Sequence, residues 1–325
     1  MDQPLISAII CTHNRANDLK AAVDSLRSQT YHPYEIIIID NASTDNTRQV
    51  IEAFGPDPPI TYVYEGTLGL STARNRGAQV ARGQILAYLD DDAEAATGWL
   101  AALAMAFAPP SSVAIAGGRV RLAWPPGYNP PLWLSPGMLE TLGIYDLGPA
   151  MRPITNPRQT PRGLNYAIQK SVWQVMGGFN VDLGRVGHSL LSNEELYMTQ
   201  RVLATGLGVL YVPQAEVTHQ VAPNRLRRRW FLHRSWWQGI SECHRDRLEQ
   251  TLTLGSIGSR SLNLVRGLRK GLSPGGDPSQ RFEHLAYSYG QLGYVCSGIG
   301  HLAYSRLRPV VDADAVKGPP HDPMP

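Results

Sequence analysis

The sequence predicts an α/β fold with a mainly parallel central sheet, helices on both faces and a mostly helical C-terminal extension. Short apolar runs alternate with segments of helical periodicity through the first 120 residues, which is the pattern of consecutive strand–helix units. Polar clusters follow these apolar runs, at the strand ends where such sheets bind ligands. After residue 221 the pattern becomes helical and basic.

The elements of the first part follow in order from their periodicity. Apolar runs predict strands over residues 5–11, 35–40, 61–64 and 84–89. Leu19, Val23 and Leu26 recur at helical spacing behind Asn17 or Asp18 as a helix cap, and further helices are predicted over 43–54 and 71–81. Carboxyl ends of parallel strands meet at one edge, so we expect three polar clusters to come together there: 12–15, 40–41 and 90–92.

The rest of the chain divides into a loop, a second ordered stretch and the extension. Residues 124–162 are rich in Pro, Gly and Trp without a period, which predicts a long, partly ordered loop on the acceptor side. Order resumes over 163–179, in a helix over 194–205 capped by Asn193, and in strands over 209–212 and 215–221. We therefore predict an α/β domain over 1–221, a basic helical extension over 222–312 and a disordered tail over 313–325.

Charge and cysteine usage restrict the class of protein. The net charge is +3, but acidic side chains outnumber basic ones in residues 1–220 and the reverse holds afterwards, so we expect the two parts to meet different partners. Three isolated cysteines fit neither a disulfide framework nor a cysteine metal site. No basic-then-apolar leader and no run of about 18 apolar residues is present, which predicts a cytoplasmic protein that does not span a membrane.

The acidic residues at two predicted strand ends are the first candidates for chemistry. Asp90, Asp91 and Asp92 follow a buried strand, and adjacent carboxylates repel unless a cation or a donor network shares their charge. Asp90 and Asp92 point to the same side of an extended segment, which suits Mg²⁺ or Mn²⁺; a solvated acidic turn is the alternative. Asp40 ends an isoleucine-rich strand, where it accepts hydrogen bonds from a ligand or forms a helix cap or Asx turn with Ser43.

The remaining candidates are less specific when taken singly. Arg74 and Asn75 lie on the helix before the acidic strand, where an arginine offsets diphosphate charge or forms a surface salt bridge. Glu194 and Glu195 fall in the first turn of a helix, which favours carboxylates whatever the function. A lone histidine in a strand, such as His219, is more often structural than a metal ligand.

The order of these motifs resembles that of the family 2 glycosyltransferases. Three runs carry the resemblance, at residues 7–50, 71–100 and 192–221: SAIICTHNRANDLKAAVDSLRSQTYHPYEIIIIDNASTDNTRQV, STARNRGAQVARGQILAYLDDDAEAATGWL and SNEELYMTQRVLATGLGVLYVPQAEVTHQV. The resemblance implies the GT-A fold, a nucleotide-diphosphate-sugar donor, a divalent metal (Mn²⁺ or Mg²⁺) and inversion at the anomeric carbon. It covers residues 5–221.

The resemblance also implies a role for each matching residue. The nucleotide and the donor sugar would be bound by Thr12, Asn14, Arg15, Asp40, Asn41, Arg74, Asn75, Asp90, Asp91, Gly163 and Asn165. Asp92 would be the direct metal ligand, Asp90 would lie nearer the ribose, and His219 matches the position of an additional metal ligand in some relatives. Glu195 falls at the position of the catalytic base, although the family's usual Glu-Asp reads Glu-Glu here, so Glu194 is a second candidate.

The basic segment over 225–237 leaves the acceptor open. Its arginines alternate with tryptophans, a pattern that fits a cover on the catalytic domain, a contact with an anionic membrane surface or, least well, nucleic acid. We expect a glycan or lipid-linked acceptor, in polysaccharide or glycoconjugate synthesis. The alternative functions are a sugar nucleotidyltransferase, whose glycine-rich opening loop is missing at 9–17, and a non-catalytic nucleotide-sugar or nucleic-acid binding module.

Overall fold

A computed structural model of the chain describes residues 3–55, 59–109 and 111–307. Within them the strands are β1 (Ile6–Thr12), β2 (Tyr34–Asn41), β3 (Ile60–Glu65), β4 (Ile85–Asp90), β5 (Ala93–Ala95), β6 (Val113–Ala123), β7 (Arg152–Pro153), β8 (Asn165–Gln169) and β9 (Gly208–Gln220). The helices are α1 (Ala16–Arg27), α2 (Thr47–Glu52), α3 (Leu70–Val80), α4 (Trp99–Phe107), α5 (Pro136–Leu139), α6 (Lys170–Val175), α7 (Glu194–Ala204), α8 (Arg228–Leu248), α9 (Leu254–Gly271) and α10 (Pro278–Leu307).

The strands form one mixed sheet in the order β3-β2-β1-β4-β8-β6-β9-β5, with β7 paired to β9. The first four strands in this order are parallel, as predicted. β6 and β9 are also parallel, whereas β8 runs antiparallel to β4 and β6, and β5 and β7 run antiparallel to β9, so the sheet is mixed. The α/β class with a helical C-terminal region is confirmed.

The core explains why the apolar runs become strands. Residues 36–39 are four consecutive isoleucines, and all are buried because helices cover both faces of β2. Leu19, Val23 and Leu26 of α1 are fully buried against this sheet. Register then fixes the strand ends: Thr12 lies opposite Asp40, and Cys11 opposite Asp90. The polar clusters predicted at the carboxyl ends therefore share one edge of the sheet.

Three local predictions differ from the structure. The helix predicted over 43–54 is shorter, since α2 spans Thr47–Glu52 and the preceding residues form a hydrogen-bonded turn. Residues 208–220 form one strand rather than two. Asn193 precedes α7 as expected, but its φ of 82° is left-handed and its side chain makes no cap bond; its Oδ1 accepts from Gln238 Nε2 instead.

The segment over 124–162 is more ordered than its composition indicates. It contains α5 and β7, and it buries Met138, Leu142 and Ile154. Met138 and Leu142 belong to a second apolar cluster together with Phe231 and Phe282 of the C-terminal helices. This cluster is what attaches the helical region to the sheet domain.

The C-terminal helices pack tightly on one another and on the loop. A Cβ on Gly239 of α8 would lie 1.8 Å from the carbonyl oxygen of Gly290 in α10, so the two helices approach closely only because the residue is glycine. None of the described helices is long and apolar enough to cross a membrane. The domain limits at 221/222 and 312/313 stay predictions, and the predicted tail lies outside the described residues.

The segment over 225–237 is only partly buried: Arg227, Arg228, Arg229 and His233 are exposed, whereas Leu226 and Phe231 are buried. Phe231 is fully buried, and Trp230 packs edge-on against it with centroids 5.1 Å apart. The Arg228 guanidinium lies over the rings of Trp133 and Phe282, at 5.5 and 5.2 Å. Arg228 therefore packs onto the loop, and the predicted membrane contact of this segment stays a prediction.

Candidate active site

A cleft of about 1200 Å³ opens at the carboxyl ends of β1, β2 and β4 and continues between the sheet domain and α8–α10. Eleven of the residues predicted from the sequence line it: Thr12, Arg15, Asn41, Arg74, Asp90, Asp91, Asp92, Gly163, Glu194, Glu195 and His219. The other four, Asn14, Asp40, Asn75 and Asn165, are not among its lining residues. The sheet register and α7 thus bring the predicted site together from segments far apart in the chain.

The four residues outside the cleft support its walls. Asn14 Oδ1 accepts from the backbone N–H groups of Thr44 and Asp45, at 2.7 and 3.2 Å. The buried Asp40 accepts from the Ser43 N–H at 3.0 Å and from the Tyr62 hydroxyl at 2.9 Å, so the Asx-turn interpretation of this residue applies. Because these oxygens already hold internal donors, both residues order the β2–α2 turn rather than face the cleft.

Asn75 and Asn165 are structural amides in this fold. Asn75 accepts from the Phe179 N–H and donates to the Phe179 carbonyl, both at 2.8 Å. Asn165 is fully buried, accepts from Trp99 Nε1 at 2.9 Å and donates to the Ala215 carbonyl at 2.7 Å. Internal backbone and indole groups satisfy these amides in this structure, and a part for either residue in donor binding stays a prediction.

The acidic turn after β4 separates Asp90 from Asp91 and Asp92. Asp90 ends the strand and lies 3.5 Å from Arg74 Nη2. The chain then turns, and the buried Asp92 contacts Arg15 Nη1 at 2.6 Å, Arg225 Nη2 at 2.9 Å and His219 Nε2 at 3.3 Å. Asp91 shares Arg15, at 3.1 Å. The expected common side for Asp90 and Asp92 is therefore replaced by two separate charge clusters.

Electrostatics differ sharply between the two buried aspartates. Burial raises the pKa of Asp91 to about 7, with Arg15 opposing and Asp92 reinforcing the shift. Burial acts in the same direction on Asp92, but the hydrogen bond and charge of His219, with Arg225 and Arg15, hold the pKa of Asp92 well below its usual range. Asp92 is thus the permanently charged member of the pair.

Asp92 and His219 fit a divalent cation, whereas Asp90 does not join them. His219 Nδ1 donates to the Leu142 carbonyl oxygen at 2.7 Å, and its Nε2 lies 3.3 Å from Asp92 Oδ1 and 3.1 Å from Arg225 Nη1. A metal bound here would take this Nε2 as a ligand. In the described chain no three His, Cys, Asp or Glu side chains form a group that could hold a metal. Two protein ligands suffice for Mn²⁺ or Mg²⁺ when substrate phosphates and water supply the rest.

Arg74 joins the acidic strand to the two glutamates of α7. Its buried Nη1 contacts Glu194 Oε1 and Glu195 Oε1, both at 2.8 Å. Burial lowers the pKa of Arg74, but Glu195, Glu194 and Asp90 outweigh it and raise that pKa, so the guanidinium stays charged. Arg74 therefore neutralises the glutamates in this structure rather than standing free for a diphosphate.

The two glutamates differ in access. The Glu194 side chain is 3% exposed and its Oε2 has no hydrogen-bond partner among the described residues, whereas Glu195 is 16% exposed. Burial and the neighbouring Glu195 raise the pKa of Glu194 to about 7 against the effect of Arg74. Gly163 packs on the Glu195 carboxylate, since a Cβ on Gly163 would lie 1.6 Å from Glu195 Oε1.

Several arginines in the cleft were not among the predicted site residues. Arg225 contacts Asp92, and Arg185, Arg234, Arg245 and Arg260 also line the cleft. The sequence did offer a signal, because the basic run begins directly after β9 and His219. The sequence pattern indicates a C-terminal extension, whereas in the structure Arg225 and Arg234 of this run line the cleft.

Comparisons with known proteins agree with the motifs. The profile described as Glycosyl transferase family 2 matches residues 7–162. A glucosyl-dolichyl phosphate glucuronosyltransferase of Haloferax volcanii is 29% identical over 255 residues, 75% of this chain and 78% of that protein. The glycosyltransferase AglE of the same organism is 24% identical over 226 residues, 68% of each chain.

Solved structures show the same fold. A mannosyltransferase from Pyrobaculum calidifontis, in complex with GDP-Man and Mn²⁺, has a TM-score of 0.54 at 19% identity, over 94% of this chain and 76% of that chain. TarS 1-349 of S. aureus, in complex with UDP, has a TM-score of 0.51 at 15% identity, over 94% of both chains. The GT-A fold predicted from the motifs is therefore confirmed, and the profile match and the relatives together support a family 2 glycosyltransferase.

Proposed function

We propose that this glycosyltransferase transfers a sugar from a nucleotide-diphosphate-sugar to an acceptor hydroxyl with inversion, and that Glu195 is its base. The observation that carries the proposal is the placement of the Glu195 carboxylate. It lies in the cleft, partly accessible, and Arg74 at 2.8 Å holds only its Oε1. No hydrogen bond within the described chain engages Oε2, which is left for an acceptor hydroxyl.

The proposed chemistry needs one proton acceptor and stabilisation of the leaving group. Glu195 Oε2 takes the proton of the acceptor hydroxyl as that oxygen attacks the anomeric carbon. Asp92 and His219 would hold a divalent cation, which supplies charge stabilisation to the departing diphosphate. Arg15 and Arg225 flank Asp92 and add guanidinium donors suited to phosphate oxygens. A single displacement requires no second carboxylate, which agrees with the inaccessible Glu194.

We further propose a glycan or lipid-linked acceptor, in polysaccharide or glycoconjugate synthesis. Two observations support it. The cleft extends beyond the strand ends to α8–α10, which leaves room for an acceptor opposite the donor. The related Haloferax volcanii protein is named as acting on a glucosyl-dolichyl phosphate. A sugar nucleotide as the donor is supported by the similar structures, which contain GDP-Man or UDP.

The test combines a binding screen with product analysis. Thermal shift with UDP- and GDP-sugars in the presence of Mn²⁺ identifies the donor, and free nucleoside diphosphate as product supports sugar transfer. Pyrophosphate would indicate the alternative nucleotidyltransferase, and binding without turnover the non-catalytic module. Glu195→Gln should keep donor affinity and lose on the order of 10²–10⁴-fold in rate, whereas Glu194→Gln should lose less. Full activity of Glu195→Gln would place the base elsewhere.

A peripheral contact with an anionic membrane is the second part of the proposal, and α9 is the surface that fits it. Apolar side chains more than half exposed follow one face of this helix and its end: Leu254, Leu262, Val265 and Leu272. Arg266, Arg269 and Lys270 are exposed beside them, and none makes an ion pair within the described residues. An apolar face flanked by basic residues is the pattern of an interfacial helix on anionic lipid.

Vesicle co-sedimentation tests this contact. The protein should bind phosphatidylglycerol vesicles at low salt and dissociate as salt is raised. Leu262→Gln with Val265→Gln should abolish binding, whereas Arg152→Gln, an exposed basic residue on the sheet domain, should not. Equal recovery in the supernatant with neutral and anionic vesicles at low salt would contradict the membrane contact.

A further inference from the structure

The arginines that line the cleft fall into two groups by their partners. Six of them lie within 4.0 Å of at least one carboxylate oxygen: Arg15, Arg74, Arg162, Arg225, Arg245 and Arg260. For Arg158, Arg185 and Arg234 no carboxylate of the described residues lies within that distance. Arg158 is exposed at the edge of the cleft. Arg234 and Arg185 are the pair that the fold places near the glutamates.

Arg234 is the unusual member because it is enclosed without an anion. It projects from α8, and its Nη2 donates to the Ser192 hydroxyl at 3.2 Å. Its Nη1 is shielded from solvent and has no hydrogen-bond partner among the described residues. An unpaired guanidinium nitrogen in such a position carries a large desolvation cost.

Arg185 increases this cost instead of relieving it. It is exposed at the cleft, and of all charges it acts most strongly on Arg234, ahead of Glu194 and Glu195. Burial, and then the like charge of Arg185, lower the pKa of Arg234 to about 10. Both guanidinium groups line the cleft, and Arg234 Nη1 has no partner among the described residues. An anion bound beside them would reduce the repulsion and satisfy the unpaired donor.

We propose that Arg234 and Arg185 form a subsite for an oxyanion of the substrate other than the donor diphosphate. The proposal rests on the glycosyltransferase function described above and names a substrate class for it. The planar fork of a guanidinium matches a carboxylate or a phosphate and gives little advantage to a neutral sugar hydroxyl. The diphosphate has its own arginines, Arg15 and Arg225, beside Asp92.

Two sources could supply this oxyanion in a sugar transfer. One is the carboxylate of a uronic acid, carried by the donor or by the acceptor sugar. The other is the phosphate that links an acceptor sugar to its carrier. Arg234 is within electrostatic range of Glu194 and Glu195, so either group would be recognised close to the site of proton transfer.

Calorimetric titration separates the two sources without requiring turnover. The protein is first saturated with Mn²⁺ and UDP or GDP, so that the diphosphate position is filled. Glucuronate, glucose 1-phosphate and methyl glucoside are then titrated as probes. A carboxylate subsite should favour glucuronate over methyl glucoside by about 10- to 100-fold, and a phosphate subsite should favour glucose 1-phosphate to the same extent.

Variants assign the preference to these two arginines. Arg234→Gln and Arg185→Gln should each abolish it while the affinity for the nucleoside diphosphate is kept. Arg158→Gln is the matched control, because it removes another cleft arginine without a carboxylate partner, and it should keep the preference. Ligand-free Arg234→Gln should melt at the same temperature as the wild type or higher, since the substitution removes an unpaired buried charge.

Two results would overturn the subsite. One is equal binding of all three probes to the wild type; the other is an equal loss of preference in Arg158→Gln, which would indicate diffuse charge in the cleft. Failure of the proposed function looks different, because it would abolish binding of UDP and GDP with Mn²⁺ before any probe is added. A lower melting temperature for Arg234→Gln, with the preference retained, would make Arg234 a structural residue.

Discussion

Replacing Gly163 with alanine should displace the base of the proposed reaction. The added Cβ would lie 1.6 Å from Glu195 Oε1 and 2.4 Å from Arg74 Nη2, where ordinary contacts begin at 3.4 Å. The carboxylate must therefore move by about 2 Å, or the backbone of Gly163 must shift with similar effect. A misplacement of about 1 Å can already cost on the order of 10²-fold in rate, so we expect at least that loss for Gly163→Ala.

The assay is release of nucleoside diphosphate at saturating donor and acceptor, together with thermal melting. Overpacking costs about 1–3 kcal/mol, so the variant should remain folded at assay temperature and bind donor. Gly98→Ala is the control, since a Cβ there would have no neighbour within 4 Å, and it should keep full activity. This comparison separates the effect of the clash from that of losing a glycine.

A double variant decides whether the effect passes through Glu195. If Gly163→Ala acts by moving that carboxylate, adding it to Glu195→Gln should cost little further rate, because the basicity is already gone. Rate losses that multiply in the double variant would refute the reasoning, as would full activity of Gly163→Ala with an unchanged melting temperature.

The other predictions concern the charged groups of the cleft. Asp92→Asn should nearly abolish turnover and lower the free energy of unfolding by on the order of 3 kcal/mol, since it leaves Arg225 without its carboxylate. EDTA should inactivate the wild type reversibly, and full activity after exhaustive chelation would contradict a requirement for a metal. Arg74→Met should cost about 3–5 kcal/mol in urea unfolding because the buried Glu194 and the partly buried Glu195 lose their partner. Arg48→Met, at an exposed ion pair, should change little. In the folded state the pKa of Glu194 is raised from 4.5 to about 7. Between these two pH values the folded protein binds a proton that the unfolded chain does not, so wild-type stability should fall as the pH rises from about 4.5 to about 7. Glu194→Gln should flatten this part of the plot of melting temperature against pH.

The edge of the sheet could be predicted because register follows from the apolar pattern. Once residues 5–11 and 35–40 are parallel strands of one sheet, their carboxyl ends must meet, and Thr12 does lie opposite Asp40. The same reasoning brought the acidic turn next to β1, with Cys11 opposite Asp90. Periodicity determines which residues share an edge, and this part of the site follows from local sequence.

The charge partners could not be predicted in this way. Arg74 is separated by 121 residues from Glu195, and Arg225 by 133 from Asp92. No local pattern specifies which guanidinium reaches which carboxylate, because these contacts depend on how the loop over 124–162 and α8 fold back over the sheet. The sequence therefore predicts a basic extension that can cover the catalytic domain, but not which of its arginines reach the cleft.

Motif identity also did not reveal the direction of a side chain. Asn75 and Asn165 match the family pattern, yet their amides bond to Phe179, Trp99 and Ala215 instead of lining the cleft. An amide carries donors and an acceptor that serve a backbone as well as a sugar. Only the surrounding structure decides between these uses.

The opposite charges of the two parts of the chain pair with each other in the cleft. The acidic first part and the basic last part were expected to meet different partners, but Asp92 of one contacts Arg225 of the other. Arg234 is likewise acted on by Glu194 and Glu195. The C-terminal helices thus supply cations to a site whose carboxylates come from the strand ends and α7. Arg234 Nη1 has no hydrogen-bond partner among the described residues, and in the proposed subsite its charge would be paired by an anionic substrate bound between the two parts.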